Sequence, residues 1–573
     1  MKRFCVFFLI SITIPYFIRA EEFFKYGISI FDDLKYPKNF QSFDYVNINA
    51  PKGGDIKFGV EGSFNSLNPF ILKGIPASGV EMIYDSLMES SSDEISSMYP
   101  LIADGIIVSK EKNYVEFTIN SAAKWHDNKK IDVDDVIYTF KTLIKEGHPS
   151  YKIALKDVVD VVKIKKNKVK FILKKGYKKD IPFLLASIKI LPKHFYENRV
   201  FNSTEIIFLL GSGPYKILSI DPKKSITYKR NEDYWGKNLP VNKGRYNFDK
   251  ITYEYYLDQN VLIESFKSGK LDFRYENIAR NWANLYNVQS ISNGKIIKKQ
   301  INHSMPAPTQ AFILNLRKTK FQDKNFRMAL NYAFNFEWIQ KHIFYGSYKR
   351  TQSYFDNSEF SFNNKNSKPF KLPISDSNGF GRNNLLLAKK ILDESGYKVT
   401  NGKLISPVNN EVVRIEFLID SRSFEMIIAP FIDNLKKLGI DAKMKLIEEN
   451  QYQSRVRNFN YDVIVGNYAA NLVPSSELIR YWHSSQKNIH GSQNYSGIDN
   501  KEIDALVLKI ASAKSKDELI KLCKEFDFLM LSNYYTILHW HSDVHRVLYN
   551  SKIQMPKKLP KYSLAIDSWW IGK

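Results

Sequence analysis

"DSRSFEMIIAPFIDNLKKLGIDAKMKLIEE", residues 420–449, contains a helix, its stop and a strand in one continuous run. Apolar side chains recur in its first half at the spacing of one helix face, namely Phe424, Ile427, Ile428, Phe431, Leu435 and Leu438. Asp420 or Ser421 can cap this helix, and Gly439 ends it. Residues 440–447 then alternate apolar and polar side chains, which predicts a strand with one buried face.

Strand patterns flank this run on both sides. "VVRIEFLI" (412–419) precedes it, and "YDVIVGNYA" (461–469) follows it. A strand, a helix and a second strand in this order predict parallel pairing with a right-handed crossover. Strands and helices alternate elsewhere too, so we predict the α/β class. Ligands of such sheets bind beyond the carboxyl ends of the strands, which makes loops 420–423 and 466–474 candidate binding loops.

Composition allows a large core and raises one competing function. The 573 residues are 44% hydrophobic, enough for two to four domains or lobes. A formal charge of +24 with 14% aromatic residues is compatible with nucleic-acid binding. The densest lysine run, residues 161–175, however alternates Lys with Val, Ile and Phe around Lys166-Asn167. That pattern predicts a β-hairpin with one solvated face, and we expect no nucleic-acid partner.

The N-terminus has the order of a secretory signal. Lys2 and Arg3 precede a short apolar stretch, and Ala20 offers a cleavage site, so residues 1–20 are predicted to be removed. Cys523 would then be alone in the mature chain, which leaves no intramolecular disulfide. We expect Cys523 to be a small buried apolar group on a helix. The chain is therefore predicted to work outside the cytoplasm.

Four segments, in consistent order, carry a family resemblance: "KWHDNKKIDVDDVIYTF" (124–140), "GSGPYKI" (211–217), "YKRNEDYWG" (228–236) and "FQDKNFRMALNYAFNFEWI" (321–339). They resemble segments of the solute-binding proteins of peptide-type ABC transporters. Asn128 stands where that family usually has glycine. Residues 31–54, 274–287 and 420–440 are similar to the branch associated with uptake of oligopeptides and of microcin C-type peptide-nucleotides.

The resemblance implies a two-lobed periplasmic-binding-protein fold with a hinge and a central cleft. Lobe I would comprise 21–60, 211–310 and 536–573, with 61–210 as its subdomain, and lobe II would comprise 311–535. The implied protein is periplasmic and monomeric, is not an enzyme and uses no cofactor. It would capture oligopeptides or peptide-derived compounds and pass them to an inner-membrane ABC permease with a cytoplasmic ATPase.

Two short segments could contact such a ligand. Ser63, Phe64 and Asn65 would lie at the crossing into the subdomain and could face the cleft, or the segment could be a plain turn around 68–69. Arg422 stands at a helix start, where free N–H groups favour anions, so it could hold a carboxylate or phosphate. Its alternative role is an ion pair with Asp420 or another local acid.

The loop after the strand at 461–469 departs from the family pattern. Related peptide binders carry an aspartate there that holds the α-ammonium of the ligand. This chain has Ala469-Ala470-Asn471 and no acid, which favours a blocked peptide or a ligand held in another way. The remaining candidates for polar and stacking contacts are Asn467, Tyr468, Asn471, Trp482 and Trp540.

The rival function is metal binding. "HWHSDVH" contains His539, His541 and His545. On a regular strand, His539 and His541 would point to the same face with Trp540 on the other, and such a pair could bind zinc. The alternative is packing of a hinge strand. The sequence has no H-E-x-x-H helix and no G-x-S-x-G turn, which argues against an enzyme.

Overall fold

The computed structural model describes residues 24–31, 33–175, 179–362, 371–377 and 381–572. The predicted signal at 1–20 lies outside the described residues. Within these ranges, no helix combines the length and apolar character needed to cross a bilayer. The hairpin predicted around Lys166-Asn167 is confirmed as strands Val158–Lys165 and Lys168–Leu173.

Three sheets organise the chain. A seven-stranded sheet has the order Ile296–Asn302, Val544–Asn550, Phe273–Tyr275, Asp55–Glu61, Lys250–Tyr256, Ser225–Arg230 and Tyr215–Asp221. A five-stranded sheet has the order Asp441–Leu446, Arg414–Ile419, Val463–Tyr468, Thr309–Leu314 and Thr536–Leu538. An antiparallel four-stranded sheet has the order Ala103–Val108, Tyr114–Ile119, Lys168–Leu173 and Val158–Lys165.

The remaining described strands form smaller sheets of two or three strands. Ile28–Ser29, Ser97–Pro100 and Met88–Ser90 form a three-stranded sheet. Two-stranded pairs join Lys349–Arg350 to Trp540–His541, Lys398–Thr400 to Lys403–Ile405, and Ile553–Gln554 to Trp570–Ile571.

Helices cover the sheets. The α-helices are Val133–Glu146, Pro149–Ala154, Ile181–Ser187, Lys193–Tyr196, Gln259–Lys267, Ala279–Asn284, Gln289–Ser292, Lys324–Ala333, Phe336–His342, Arg382–Glu394, Glu425–Lys437, Glu449–Arg457, Glu477–Trp482, Lys501–Ser512 and Lys516–Ser532. Single 3₁₀ turns occur at Val80–Ile83, Thr319–Phe321, Arg422–Phe424, Ser484–Gln486 and Ile566–Ser568.

The strand–helix–strand unit predicted from residues 412–447 is confirmed. Arg414–Ile419 pairs in parallel with both Asp441–Leu446 and Val463–Tyr468. The helix between them begins at Glu425, because Arg422–Phe424 first forms a 3₁₀ turn capped by Ser421. Gly439 follows the helix with φ +81°, a left-handed conformation that glycine adopts without strain.

Separate cores lie against the sheets. One spans the seven- and four-stranded sheets and includes Ile56, Phe117 and Trp569. Each face of the five-stranded sheet has its own core, represented by Phe312 on one face and Cys523 on the other. Cys523 is fully buried on the helix Lys516–Ser532, as predicted.

The chain crosses between the two larger sheets twice. The first crossing runs from Asn302 to Thr309, since strand Thr309–Leu314 belongs to the five-stranded sheet. The second runs from 539 to 543, because Thr536–Leu538 still pairs with Ala311–Ile313 and the seven-stranded sheet resumes at Val544. These two short crossings therefore connect the seven-stranded sheet to the five-stranded sheet.

Candidate functional site: the cavity between the two large sheets

The two predicted binding loops lie side by side. Strands Arg414–Ile419 and Val463–Tyr468 are paired in parallel, so the loops that follow them start at the same sheet edge. Arg422 lies in the first loop, with 81% of its side chain exposed and its guanidinium 3.9 Å from the Glu425 carboxylate. That long, solvated ion pair holds Arg422 weakly, so its guanidinium is available to a ligand.

A cavity of about 640 Å³ lies between the bodies built on the two large sheets. Residues 93–97 and 561–562 form one wall, and residues 356–361, Leu472 and Lys516 form the other. The cavity is rich in ionisable groups, and an ion pair of 2.9 Å joins Lys516 to Glu359 at its edge. Its volume is within the range of small-molecule sites.

A second, small cavity of about 30 Å³ adjoins the first. Both are lined by Pro306, Ser358 and Phe360, which places them next to each other. Three sequence-predicted residues line the small cavity, namely Tyr468, Asn471 and Trp482. The structure therefore brings the loop after Val463–Tyr468 to the edge of the larger cavity.

Aromatic rings surround the small cavity. The Tyr468 ring lies 4.3 Å from the Trp482 ring and 5.1 Å from the Tyr481 ring, and Tyr354 lies 5.4 Å from Trp482. Tyr468 and Trp482 are buried, so their contribution to any site is shape and π-surface at the bottom of the cavity. Rings in this arrangement favour flat or cationic groups.

Glu477 is a further candidate residue that the sequence did not single out. It lines the small cavity, is buried, and accepts a hydrogen bond of 2.9 Å from the Ser475 backbone N–H. Burial raises the pKa of Glu477 above its usual range. In the sequence it looks like an ordinary acid in the first turn of a helix, so no signal distinguished it.

Neither Asn467 nor Trp540 is among the residues that line the two cavities. Asn467 is exposed at the end of its strand, directly opposite Gln310. The half-buried Trp540 ring packs 4.5 Å from Phe344 and 6.4 Å from Phe424, the residue that follows the first binding loop. Both predicted residues thus lie on the side of the sheet that carries Phe424.

Ser63, Phe64 and Asn65 are not among the residues that line either described cavity. Phe64 is buried with its ring 4.9 Å from the Tyr255 ring. The Asn65 carboxamide oxygen accepts a 2.6 Å hydrogen bond from the Ile75 backbone N–H. These contacts fix the crossing into residues 66–76.

The three histidines do not form the predicted same-face pair. The His539 and Trp540 rings are stacked at 4.8 Å and 10°, so the strand alternation breaks between them. His539 packs in the core against Phe312, whereas the His541 Nδ1 lies 3.1 Å from the Thr351 hydroxyl. No group of three His, Cys, Asp or Glu suited to a metal occurs among the residues described.

Two of these histidines, His539 and His545, have lowered pKa values, as expected for side chains packed in and next to the second crossing. The His545 Nδ1 lies 3.2 Å from the Tyr275 hydroxyl, and burial lowers the pKa of His545 to about 4. Burial, together with the nearby Arg350 charge, lowers the pKa of His539 well below its usual value. His539 and His545 are therefore neutral at pH 7.

The sequence matches a family model and is similar to several bacterial binding proteins. Residues 97–489 match the model for the middle region of bacterial extracellular solute-binding proteins, family 5. The chain is 32% identical over 585 residues to "Probable peptide-binding protein YejA" of Agrobacterium fabrum, covering 97% of this chain and 95% of the relative. It is 32% identical over 582 residues to "Peptidoglycan-binding protein YepA" of the same species, covering 95% and 94%.

A solved structure shares the architecture. The oligopeptide-binding protein AppA of Bacillus subtilis, determined in complex with a nonapeptide, superposes with a TM-score of 0.63 at 21% identity. The match covers 92% of this chain and all of that one. The fold is therefore the two-lobed α/β fold of the large binding proteins, and the cavity described above lies between its lobes.

Proposed function

Because the chain belongs to the bacterial extracellular solute-binding proteins of family 5, we propose that it captures oligopeptides or peptide-derived compounds for an ABC importer. One observation supports the location of capture: the inter-lobe cavity is continuous with the loop that follows Val463–Tyr468. The ligand would bridge the lobes and hold them together, and an inner-membrane permease with its cytoplasmic ATPase would recognise the closed form.

The lobe division follows the sheets. Lobe I would comprise 21–60, 211–310 and 536–573 with 61–210 as its subdomain, and lobe II would comprise 311–535. The pairing of Thr536–Leu538 with Ala311–Ile313 supports a second changeover a few residues later, at 539–543. The signal would be removed after Ala20, and the mature protein would act as a periplasmic monomer.

The site residues divide by role. Arg422 and Asn467 would provide polar contacts at the open edge of the sheet, while Asn471 would do so at the small cavity. Glu477 would supply the carboxylate that the loop itself lacks, so a positively charged ligand group could still be held there. Ligands with a free amine and blocked peptides, including peptidoglycan fragments and peptide-nucleotides, are therefore both within the proposed range.

The first experiment is to purify the mature protein natively and weigh it by native mass spectrometry. We expect a bound mass that denaturation releases and that fragmentation identifies as a peptide or peptide conjugate. The stripped and refolded protein should rebind the released compound in calorimetry. A protein that is empty and also binds no peptide mixture after refolding would refute peptide capture.

Two variants locate the site. Glu477→Gln keeps the shape of the small cavity and removes its charge, so we expect weaker binding of ligands with a free amine and unchanged binding of N-acetylated ones. The matched control is Glu449→Gln, which changes an exposed acid that lies in the first turn of another helix and lines neither cavity. Equal loss for free and acetylated ligands would contradict the role of Glu477.

A further inference from the structure

The described residues leave one buried guanidinium without an acceptor. Arg350 is buried, and its Nε, Nη1 and Nη2 atoms have no hydrogen-bond partner among the residues described. Burial lowers the pKa of Arg350 to about 10, so the group is still charged at pH 7. An unpaired buried charge is strongly unfavourable, and natural proteins pair such charges.

The surroundings of Arg350 explain why it is held in place. Its guanidinium lies 4.7 Å from the Phe334 ring centroid and 5.4 Å from that of Phe336, which stabilises a cation but satisfies no N–H donor. Arg350 also pairs with Trp540 across two antiparallel strands, so both side chains lie on one face. The backbone and the rings therefore fix the guanidinium, while its hydrogen-bonding edge finds no partner within the described part of the chain.

A second orphaned nitrogen lies in the same cluster. His539 is fully buried, its Nε2 has no partner among the described residues, and its ring lies 6.0 Å from the Phe334 ring. Its Nδ1 lies 3.2 Å from the Gln310 amide nitrogen, which assigns Nδ1 as acceptor and Nε2 as the N–H donor. Two kinds of nitrogen donor thus share one aromatic cluster.

The nearest acid is already engaged. The Glu337 carboxylate accepts hydrogen bonds of 2.9 Å from both the backbone N–H and the hydroxyl of Ser375. No ion pair within 4.0 Å joins it to Arg350 in the described part of the chain. The charge of Glu337 raises the pKa of Arg350 only partly against burial, so the guanidinium lacks a direct counterion.

This cluster adjoins the first candidate binding loop, residues 420–423. Phe424, which ends the turn after strand Arg414–Ile419, lies 6.2 Å from the His539 ring and 6.4 Å from the Trp540 ring. The turn is held by a Ser421 cap and by the loose Arg422–Glu425 pair.

We propose that Arg350, with His539 beside it, is a buried receptor for an oxyanion, the carboxylate of the transported ligand. The planar guanidinium suits a carboxylate because it can donate two parallel hydrogen bonds. The ligand part of this inference rests on the proposed function, whereas the existence of an anion site does not. Arg350 is then a specificity residue for acidic or free-acid ligands.

The first test uses formate as the probe, because it is small enough to reach a buried guanidinium. In differential scanning fluorimetry of the stripped protein, formate should raise the Tm above that in equal concentrations of chloride. Arg350→Met should abolish the difference between the two salts. An identical formate effect in both proteins would overturn the anion site, whatever the protein transports.

A structural arginine would behave differently in the same experiment. Arg327 is the matched control, since it is buried in the same lobe but donates to the carbonyls of Phe321, Gln322 and Asn533. Arg327→Met should lower the Tm, whereas Arg350→Met should leave it unchanged or raise it. A large fall in Tm for Arg350→Met would show that the residue supports the fold and would overturn the proposal.

The second test concerns the ligand. A tripeptide library with free carboxyl termini is compared with its C-terminally amidated counterpart by native mass spectrometry. The wild type should retain free acids about tenfold better, and Arg350→Met should lose that preference. Equal retention of both libraries by the wild type would exclude the ligand carboxylate as the anion. If neither library bound, the proposed function would fail, and the formate result would still decide the anion site.

Discussion

At the scale of single residues, Asn128 shows how this chain departs from its family without losing the structure. Asn128 has φ 69°, and its N–H donates to the Trp125 carbonyl in a tight turn. Asparagine tolerates the left-handed region better than most residues, so it replaces glycine at small cost. The neighbouring Trp125 indole donates to Asp135, which ties this turn to the start of a helix.

Substitutions at position 128 should follow backbone strain. We expect Asn128→Gly to change the free energy of unfolding by less than about 0.5 kcal/mol, and Asn128→Val to lower it by ~1–2 kcal/mol. Denaturant unfolding at constant pH measures both. A valine variant as stable as the wild type would show that the left-handed conformation is not required in the folded protein.

Asp85 should make stability depend on pH. It is buried and accepts hydrogen bonds of 2.9 Å each from the Tyr234 hydroxyl and the Trp235 indole. Burial raises the pKa of Asp85 to about 7 from its ordinary 3.8. Between these two values the folded state holds a proton that the unfolded state has lost, so stability contributed by this group falls as pH rises.

Replacement of Asp85 should remove that dependence. We compare the free energies of unfolding of the wild type and of Asp85→Asn. The wild-type value minus the variant value should fall by on the order of 4 kcal/mol between pH 4 and pH 7. Urea unfolding at intervals of half a pH unit gives the difference. The exposed Asp233→Asn variant is the control and should track the wild type. A difference that stays constant over this window would contradict the assignment.

At the scale of elements, the family-like segments prove to be scaffold. Trp235 from the "NEDYWG" segment donates to Asp85, and the Ser212 hydroxyl from the "GSGPY" segment accepts from the Asp85 backbone N–H. Arg327, from the segment at 321–339, donates to backbone carbonyls. These residues join distant parts of each lobe, which explains why the resemblance predicts the fold.

Gly211 belongs to one of these segments and allows two chain segments to meet. A Cβ at this position would overlap the Ile83 carbonyl oxygen. We expect Gly211→Ala to lower the free energy of unfolding by about 3 kcal/mol. Gly269→Ala is the control, because Gly269 has a positive φ but open space around it, and should lose only ~1 kcal/mol. Equal losses in denaturant unfolding would mean that the contact with Ile83 relaxes freely.

The helices and strands that could be predicted are those whose own residues carry a clear periodic pattern or a stop. Helical spacing and Gly439 predicted the helix now seen as Glu425–Lys437, and alternation predicted the strand Asp441–Leu446. The stacking of His539 on Trp540 could not be predicted, because it depends on a core formed by distant residues. Glu477 was missed for the same reason, since its cavity is assembled from four separate chain segments.

At the scale of the whole molecule, two lobes with separate cores are joined by two short crossings, at 302–309 and 539–543. Each lobe can therefore remain folded while the angle between lobes changes. The cavity walls come from both lobes, 93–97 from the first and 356–361 from the second. A ligand that contacts both walls stabilises the closed arrangement by its contacts with each of them.

Hydrogen exchange tests this coupling between lobes. We compare the natively purified, ligand-loaded protein with the same protein after denaturation and refolding. Exchange should slow in the loaded protein at 93–97, at 356–361 and at 469–476 together, because one ligand shields both walls. The hairpin 158–173 lines neither cavity and should exchange equally in both samples. Protection confined to one wall would mean that the ligand binds a single lobe, and the cleft would then not close around it.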